Sequence, residues 1–132
     1  MTNASMGRDN FAERFDLWNA EQKAAVKDVV KQVKDLDLEV VRISFPDQHG
    51  ILRGKTIVAD EIEAALNNGV GMVTTLLAKD TAHKTVFPWF TEGGGFGMEE
   101  MSGGGDFLMI ADPTTFRVLP WAHKTGWIMA DI

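Results

Sequence analysis

The first arrangement in this sequence that could do chemistry is a lysine between glycine and threonine, in Gly50-Ile51-Leu52-Arg53-Gly54-Lys55-Thr56. A phosphate-binding loop needs four residues between its glycines. It must also join a strand to the N-terminus of a helix, whose free amides face the phosphate. Here three residues separate Gly50 from Gly54, and Lys55 falls in the middle of a run that reads as a strand. The arrangement is a near miss, not a nucleotide site. The glycines of Gly93–Gly95, Gly97 and Gly103–Gly105 could cradle an anion through their amides, but neither cluster has the dinucleotide-binding spacing. They read as a flexible lid or an intersubunit loop.

Acid–base and metal chemistry fare no better. Asp80 and the adjacent pair Glu99-Glu100 are carboxylates that could move a proton if their surroundings tuned them, although neighbouring residues point apart in most backbones. His49, His83 and His123 are scattered, and a zinc site needs three or four ligands converging in a preferred geometry. With no cysteine in the chain, disulfides and thiolate-held metals are excluded. No metal site and no set of nucleophile, base and orienting group is expected, so no complete active site lies in this chain. Phe87, Trp89 and Phe90 around Pro88 form an aromatic patch that is costly to leave in water. It either folds back onto the sheet or packs on another subunit.

The elements that must position these residues follow from periodicity. The first ten or so residues are polar and read as disordered, and residues 1–17 are expected to be flexible. Asn19 with Gln22 makes a capping box, and Val26, Val29, Val30, Val33 and Leu36 share one helical face. From Leu38 the period changes to alternation: Val41, Ile43 and Phe45 point one way, Val40, Arg42 and Ser44 the other. Pro46, Asp47 and Gly50 supply turn chemistry, and Ile51–Val58 returns to complete a hairpin. A short helix follows, with Asp60 as N-cap, Ile62, Ala65 and Leu66 as its apolar stripe, and Gly69 as its stop. Val70–Leu77 reads as a third strand. The segment from Ala78 to Gly105 holds seven of the thirteen glycines and reads as a long mobile loop. Three short strands, in DFLMIADP, TFRVLPW and TGWIMADI, complete the pattern, with Asp112-Pro113 and Pro120 at their turns.

Composition bounds the class. The 132 residues predict one domain, and 45% hydrophobic with 24% charged residues is ordinary globular usage. A net charge of -6 argues against a sequence-independent grip on nucleic acid. No apolar run approaches the ~20 residues of a membrane span, and the N-terminal stretch has no apolar signal-peptide core. A soluble cytoplasmic protein with no nucleic-acid or membrane partner is the expectation.

The segment VRISFPDQHGILRGKTIVADEI resembles the start of the β-grasp domain in glutamine synthetases and their relatives, where a strand, an Asp-x-x-Gly turn and a second strand precede a short helix. Here the turn is Asp47-Gln48-His49-Gly50, and Arg53-Gly54-Lys55 is similar to the family's more divergent branches. A second match is DFLMIADPTTFRVLPW, in which Asp106, Asp112, Thr115, Pro120 and Trp121 fall in step with the family pattern. GWIMADI looks like the strand that leads into the catalytic domain. The resemblance implies an α+β fold: a β-grasp-like mixed sheet of five or six strands, one helix across it, and an N-terminal helix, over residues 18–132.

It further implies a role in an ATP-dependent glutamate–ammonia or glutamate–amine ligase. In such enzymes the metal-binding glutamates, the nucleotide site and most substrate contacts belong to a larger catalytic domain. ATP and Mg or Mn are then cofactors of the full-length enzyme and none is expected in this chain. The small domain lends one wall of the active site to its neighbour in a homo-oligomer, and is inactive alone. Where well-studied members read Asp-Gly-Ser-Ser, with an aspartate that takes a proton from ammonium, this chain aligns Thr74-Thr75-Leu76-Leu77. Asp80 is the candidate substitute, and Thr74, Thr75, Lys79, Trp89 and Phe90 are the expected substrate-facing residues of that loop. The last strand runs to Ile132 without a polar tail, which reads as a cut before a missing C-terminal catalytic domain. The rival reading is a stand-alone β-grasp binding or regulatory module without ligase activity.

Overall fold

The computed structural model describes residues 10–132. A short helix α1 (Phe11–Arg14) precedes α2 (Ala20–Asp35), the strands β1 (Val40–Pro46) and β2 (Leu52–Val58), α3 (Ile62–Asn68), and the strands β3 (Val70–Val73), β4 (Asp106–Ala111), β5 (Arg117–Val118) and β6 (Thr125–Asp131). The sheet runs in the order β2-β1-β6-β4-β3, with β5 also paired to β6. β1 and β6 are parallel and the remaining pairs are antiparallel, so the expected mixed α+β sheet is present.

Alternation explains which face is covered. Val41, Ile43 and Phe45 on β1, Met109 and Ala111 on β4 and Ile128 and Ala130 on β6 are buried together with Val29 and Val33 of α2 and Ile62, Ala65 and Leu66 of α3. Phe45 meets Phe107 edge-on at 5.5 Å, a preferred arrangement for aromatic quadrupoles. The α2 start is as its sequence predicts: Asn19 accepts from the Gln22 amide and the Gln22 side chain accepts from the Asn19 amide. Gly69 ends α3 at φ 72, the left-handed region that glycine enters without a Cβ penalty.

Four expectations are corrected. The flexible segment expected over 1–17 lies partly outside the described residues. From Asn10 onward it is folded, because α1 buries Ala12 and Asn10 donates to Asn67 Oδ1 at 3.2 Å. Leu36 falls just past the end of α2 and is exposed, so the buried stripe ends at Val33. Asp60 sits inside a 3₁₀ turn (Ala59–Glu61), and α3 starts after Glu61 with no side-chain cap. The third strand stops at Val73, and Thr74–Ala78 turns into a 3₁₀ helix. Thr74 still faces Gly105 in the register of β3 with β4, its amide and hydroxyl both donating to Gly105 O at 2.8 Å, and the chain turns into the 3₁₀ helix from there.

Candidate functional site

The hairpin turn between β1 and β2 is built on one carboxylate. Asp47 Oδ1 accepts from the amides of His49 (2.8 Å) and Ile51 (2.9 Å), while Oδ2 accepts from Arg53 Nε at 3.0 Å. The Asp47 side chain has no exposed surface and that of Arg53 is 10% exposed. Burial pushes the Asp47 pKa up, but the Ile51 amide, the Arg53 guanidinium and the His49 amide outweigh it. The carboxyl is thereby held below its ordinary value. A buried ion pair costs desolvation unless its remaining hydrogen-bonding positions are satisfied, and here they are.

The rest of the Arg53 fork leaves the hairpin. Nη2 donates to Asp80 O at 3.3 Å and Nη1 contacts His83 Nδ1. A guanidinium only donates, so His83 Nδ1 is the acceptor in that contact. Gln48 Nε2 donates to Leu77 O (2.9 Å) and Lys79 O (3.3 Å), and Lys55 Nζ donates to Gly71 O at 2.6 Å. Gln48 and the Arg53 fork thus meet one segment, between Leu77 and His83, whereas Lys55 meets β3. Phe45 pairs with Arg53 and Ile43 with Lys55, so both cations start from the covered face of edge strand β2.

The segment they hold has its own turn. Asp80 Oδ1 accepts from the amides of Ala82 (2.9 Å) and Lys84 (2.8 Å), its amide donates to Lys84 O at 2.9 Å, and Lys79 pairs with Thr85 in an isolated bridge. The aspartate is thus a turn-builder through one oxygen, leaving Oδ2 as the oxygen that could take a proton. Lys79 and Asp80 are half-buried.

Behind this turn the expected substrate-facing residues divide into two groups. Thr74, Thr75 and Trp89 are buried, and Trp89 Nε1 donates to Thr74 Oγ1 at 3.1 Å. They support the segment and do not present side chains at its surface. Phe90 is 74% exposed, and Phe87 and Phe96 are half exposed around Trp89, with ring centroids 5.2 Å (Phe87–Phe96) and 5.1 Å (Trp89–Phe96) apart. The aromatic patch is divided: Trp89 is folded in and Phe90 faces outward. The loop expected to be mobile is packed around the tryptophan. Gly95 sits at φ 67, and a Cβ there would lie 2.6 Å from the Met101 backbone, so this glycine serves close approach. The acidic pair lies on a 3₁₀ turn (Glu99–Met101) with both side chains exposed. Arg53, Gln48 and His83 were not singled out by spacing, because they meet across 27 to 31 residues of chain.

No family model matches this chain. It is 39% identical over 126 residues to γ-glutamylanilide synthase of Acinetobacter sp, covering 93% of this chain and 25% of that protein. It is 37% identical to γ-glutamylethanolamide synthetase GlnA4 of Streptomyces coelicolor over 73% of this chain, and 32% identical to the glutamine synthetase of Methanosarcina mazei over 76%. The chain belongs to the glutamine synthetase family. Two solved structures of GmaS, an ADP complex and one without ligand, superpose with TM-scores of 0.53 and 0.55 at 26% and 25% identity, each covering 20% of the solved chain. The chain spans a quarter or less of the length of these relatives.

After β3 this chain reads Thr74-Thr75-Leu76-Leu77, with no carboxylate among those four positions. Both threonines are spent on packing. Among the described residues no group of three or more His, Asp or Glu could hold a metal ion. The donor set does not fit the family's metal, and no chemistry through a metal is assigned to these residues. Among the described residues no helix is long and apolar enough to cross a membrane.

Proposed function

We propose that this chain is the amino-terminal domain of an ATP-dependent ligase that joins the γ-carboxylate of glutamate to an amine. In this reading it supplies one wall of an active site shared between neighbouring subunits of a cytoplasmic homo-oligomer. The observation that carries the reading is the 39% identity running through 93% of this chain to a γ-glutamyl-amide-forming enzyme four times as long, as the 25% coverage implies. ATP and Mg or Mn then belong to the catalytic domain, outside these 132 residues.

The wall is made by Lys79, Asp80, Phe87 and Phe90, with Thr74, Thr75 and Trp89 as its support. Asp80 Oδ2 is the candidate proton acceptor. The exposed phenylalanines, and the loss of an aspartate at Thr74–Leu77, favour an acceptor with an apolar body that is already uncharged near neutral pH, as an arylamine is. The anilide in the name of the Acinetobacter relative supports the same choice. On the outer sheet face, Leu52 and Trp121 are exposed, Trp121 by 77%, which supports an apolar cover from the catalytic domain or a neighbouring subunit.

The test is formation of γ-glutamyl amide from glutamate, ATP and amine by the full-length protein, comparing aniline with ammonium. The reading expects product with both Asp80→Ala and Phe90→Ala impaired, and a higher kcat/KM for aniline. Full turnover in both variants would remove this segment from the site.

A further inference from the structure

Every nitrogen of the Arg53 guanidinium has a partner, and only one partner lies on its own hairpin. Nε is held by Asp47, which is itself fixed by two amides of the turn, so the fork projects from a rigid base. Nη1 and Nη2 then reach His83 and Asp80 O. Gln48, on the same turn, reaches Leu77 O and Lys79 O. The hairpin therefore holds the Leu77–Lys84 segment at four points spaced along it. Its base is seated by buried Ala78 and by Leu77 on the core, and its own bonds, Val86 N to Ala78 O and Lys79 to Thr85, close the turn; the hairpin's contacts place the turn beyond that base. His83 is at φ 62, a left-handed conformation uncommon for a residue with a Cβ, and the Arg53 contact falls on that residue.

We propose that Gln48 and Arg53 are positioning residues for the acceptor amine: they set where Lys79 and Asp80 stand, and so determine how tightly the amine is held. The inference rests on the ligase reading above. Neither residue touches substrate, and each acts through the segment it grips. Arginine is required over lysine because three donors in a planar fork serve three acceptors in different directions, which one ammonium on a flexible stem does not reproduce.

The experiment is steady-state kinetics of the full-length ligase carrying Arg53→Met, Arg53→Lys, Gln48→Leu or the control Lys27→Met, on an exposed position of α2, combined with limited trypsin digestion of the same proteins. Lys79 and Lys84 put tryptic sites inside the gripped segment. Misplacement of positioning groups costs on the order of tenfold to a hundredfold. We expect KM for the amine to rise by about tenfold or more in Arg53→Met, with KM for glutamate within about twofold, a smaller rise in Gln48→Leu, no rescue by Arg53→Lys, and faster cleavage at Lys84. Faster cleavage with an unchanged amine KM would overturn the proposal, because the grip would then be structural only. Unchanged cleavage and kinetics would overturn it too. If the wild-type protein makes no γ-glutamyl amide, the ligase reading itself fails, and the positioning role with it.

Discussion

Trp89 is the residue on which the glycine-rich segment turns, and removing it gives a quantity that the packing sets. Its side chain is 2% exposed and is the largest among the fully buried ones. Truncating a buried tryptophan to alanine loses the transfer energy of the ring and leaves a cavity, together about 3–5 kcal/mol. Against a total domain stability of ~5–15 kcal/mol, Trp89→Ala removes a large fraction of the reserve. Trp89→Phe keeps most of the ring and removes the indole N–H. Thr74 Oγ1 still donates to Gly105 O, so no buried donor is orphaned and the cost falls to about 1–2 kcal/mol. Thr74→Val in contrast strands the indole N–H at a loss of ~1–3 kcal/mol. Urea unfolding followed by far-UV circular dichroism gives these differences, and hydrogen exchange locates them. Exchange in Trp89→Ala should rise first between Val86 and Gly105, since a segment held by one anchor opens before the sheet does. A Trp89→Ala loss below ~1 kcal/mol, far under the cavity range, with exchange unchanged in that segment, would refute the anchoring role.

Other substitutions probe other parts of the fold. A Cβ on Gly54 would stand 1.9 Å from Ile43 O across the β1–β2 ladder, so Gly54→Ala should cost about 3 kcal/mol or more by forcing the strands apart, read as a lower urea midpoint. Asn19→Ala removes the side-chain half of the α2 capping box and should cost ~1 kcal/mol by the same assay. Asp47 has a folded pKa below its unfolded one, so its contribution is complete above the unfolded value of about 3.9 and is lost as pH falls through the folded value. Asp47→Asn should therefore be less stable than wild type near neutral pH and show a shallower loss of stability below about pH 4; an unchanged acid limb would contradict the assignment.

What was legible in the sequence was legible for local reasons. The alternation of Val41, Ile43 and Phe45 gave β1 and its buried face, the Asn19/Gln22 pair gave the start of α2, and Gly69 marked the end of α3. Thr74–Ala78 misled because threonine and leucine suit a strand, and nothing within the run marks that its pairing ends opposite Gly105, about thirty residues away. The glycines were read as freedom, whereas Gly95 is small because the Met101 backbone passes over it. Of the candidate site, Asp80 and Phe90 were expected from their place after the third strand, and the structure leaves Asp80 half-buried and Phe90 exposed. Arg53 and Lys55 carried a weak signal, as cations at alternating positions with Ile57 on the covered face of a strand. Their partners Asp80, His83 and Gly71 come from tertiary packing that no short-range pattern encodes.

Whether this chain is one domain of a larger ligase is decided first by the intact mass of the protein purified from its natural source. A polypeptide several times the 14.6 kDa of these residues is the predicted result. A protein of 14.6 kDa would contradict it, because a chain with no metal-binding group among its described residues would then have to act without the domain that carries the chemistry.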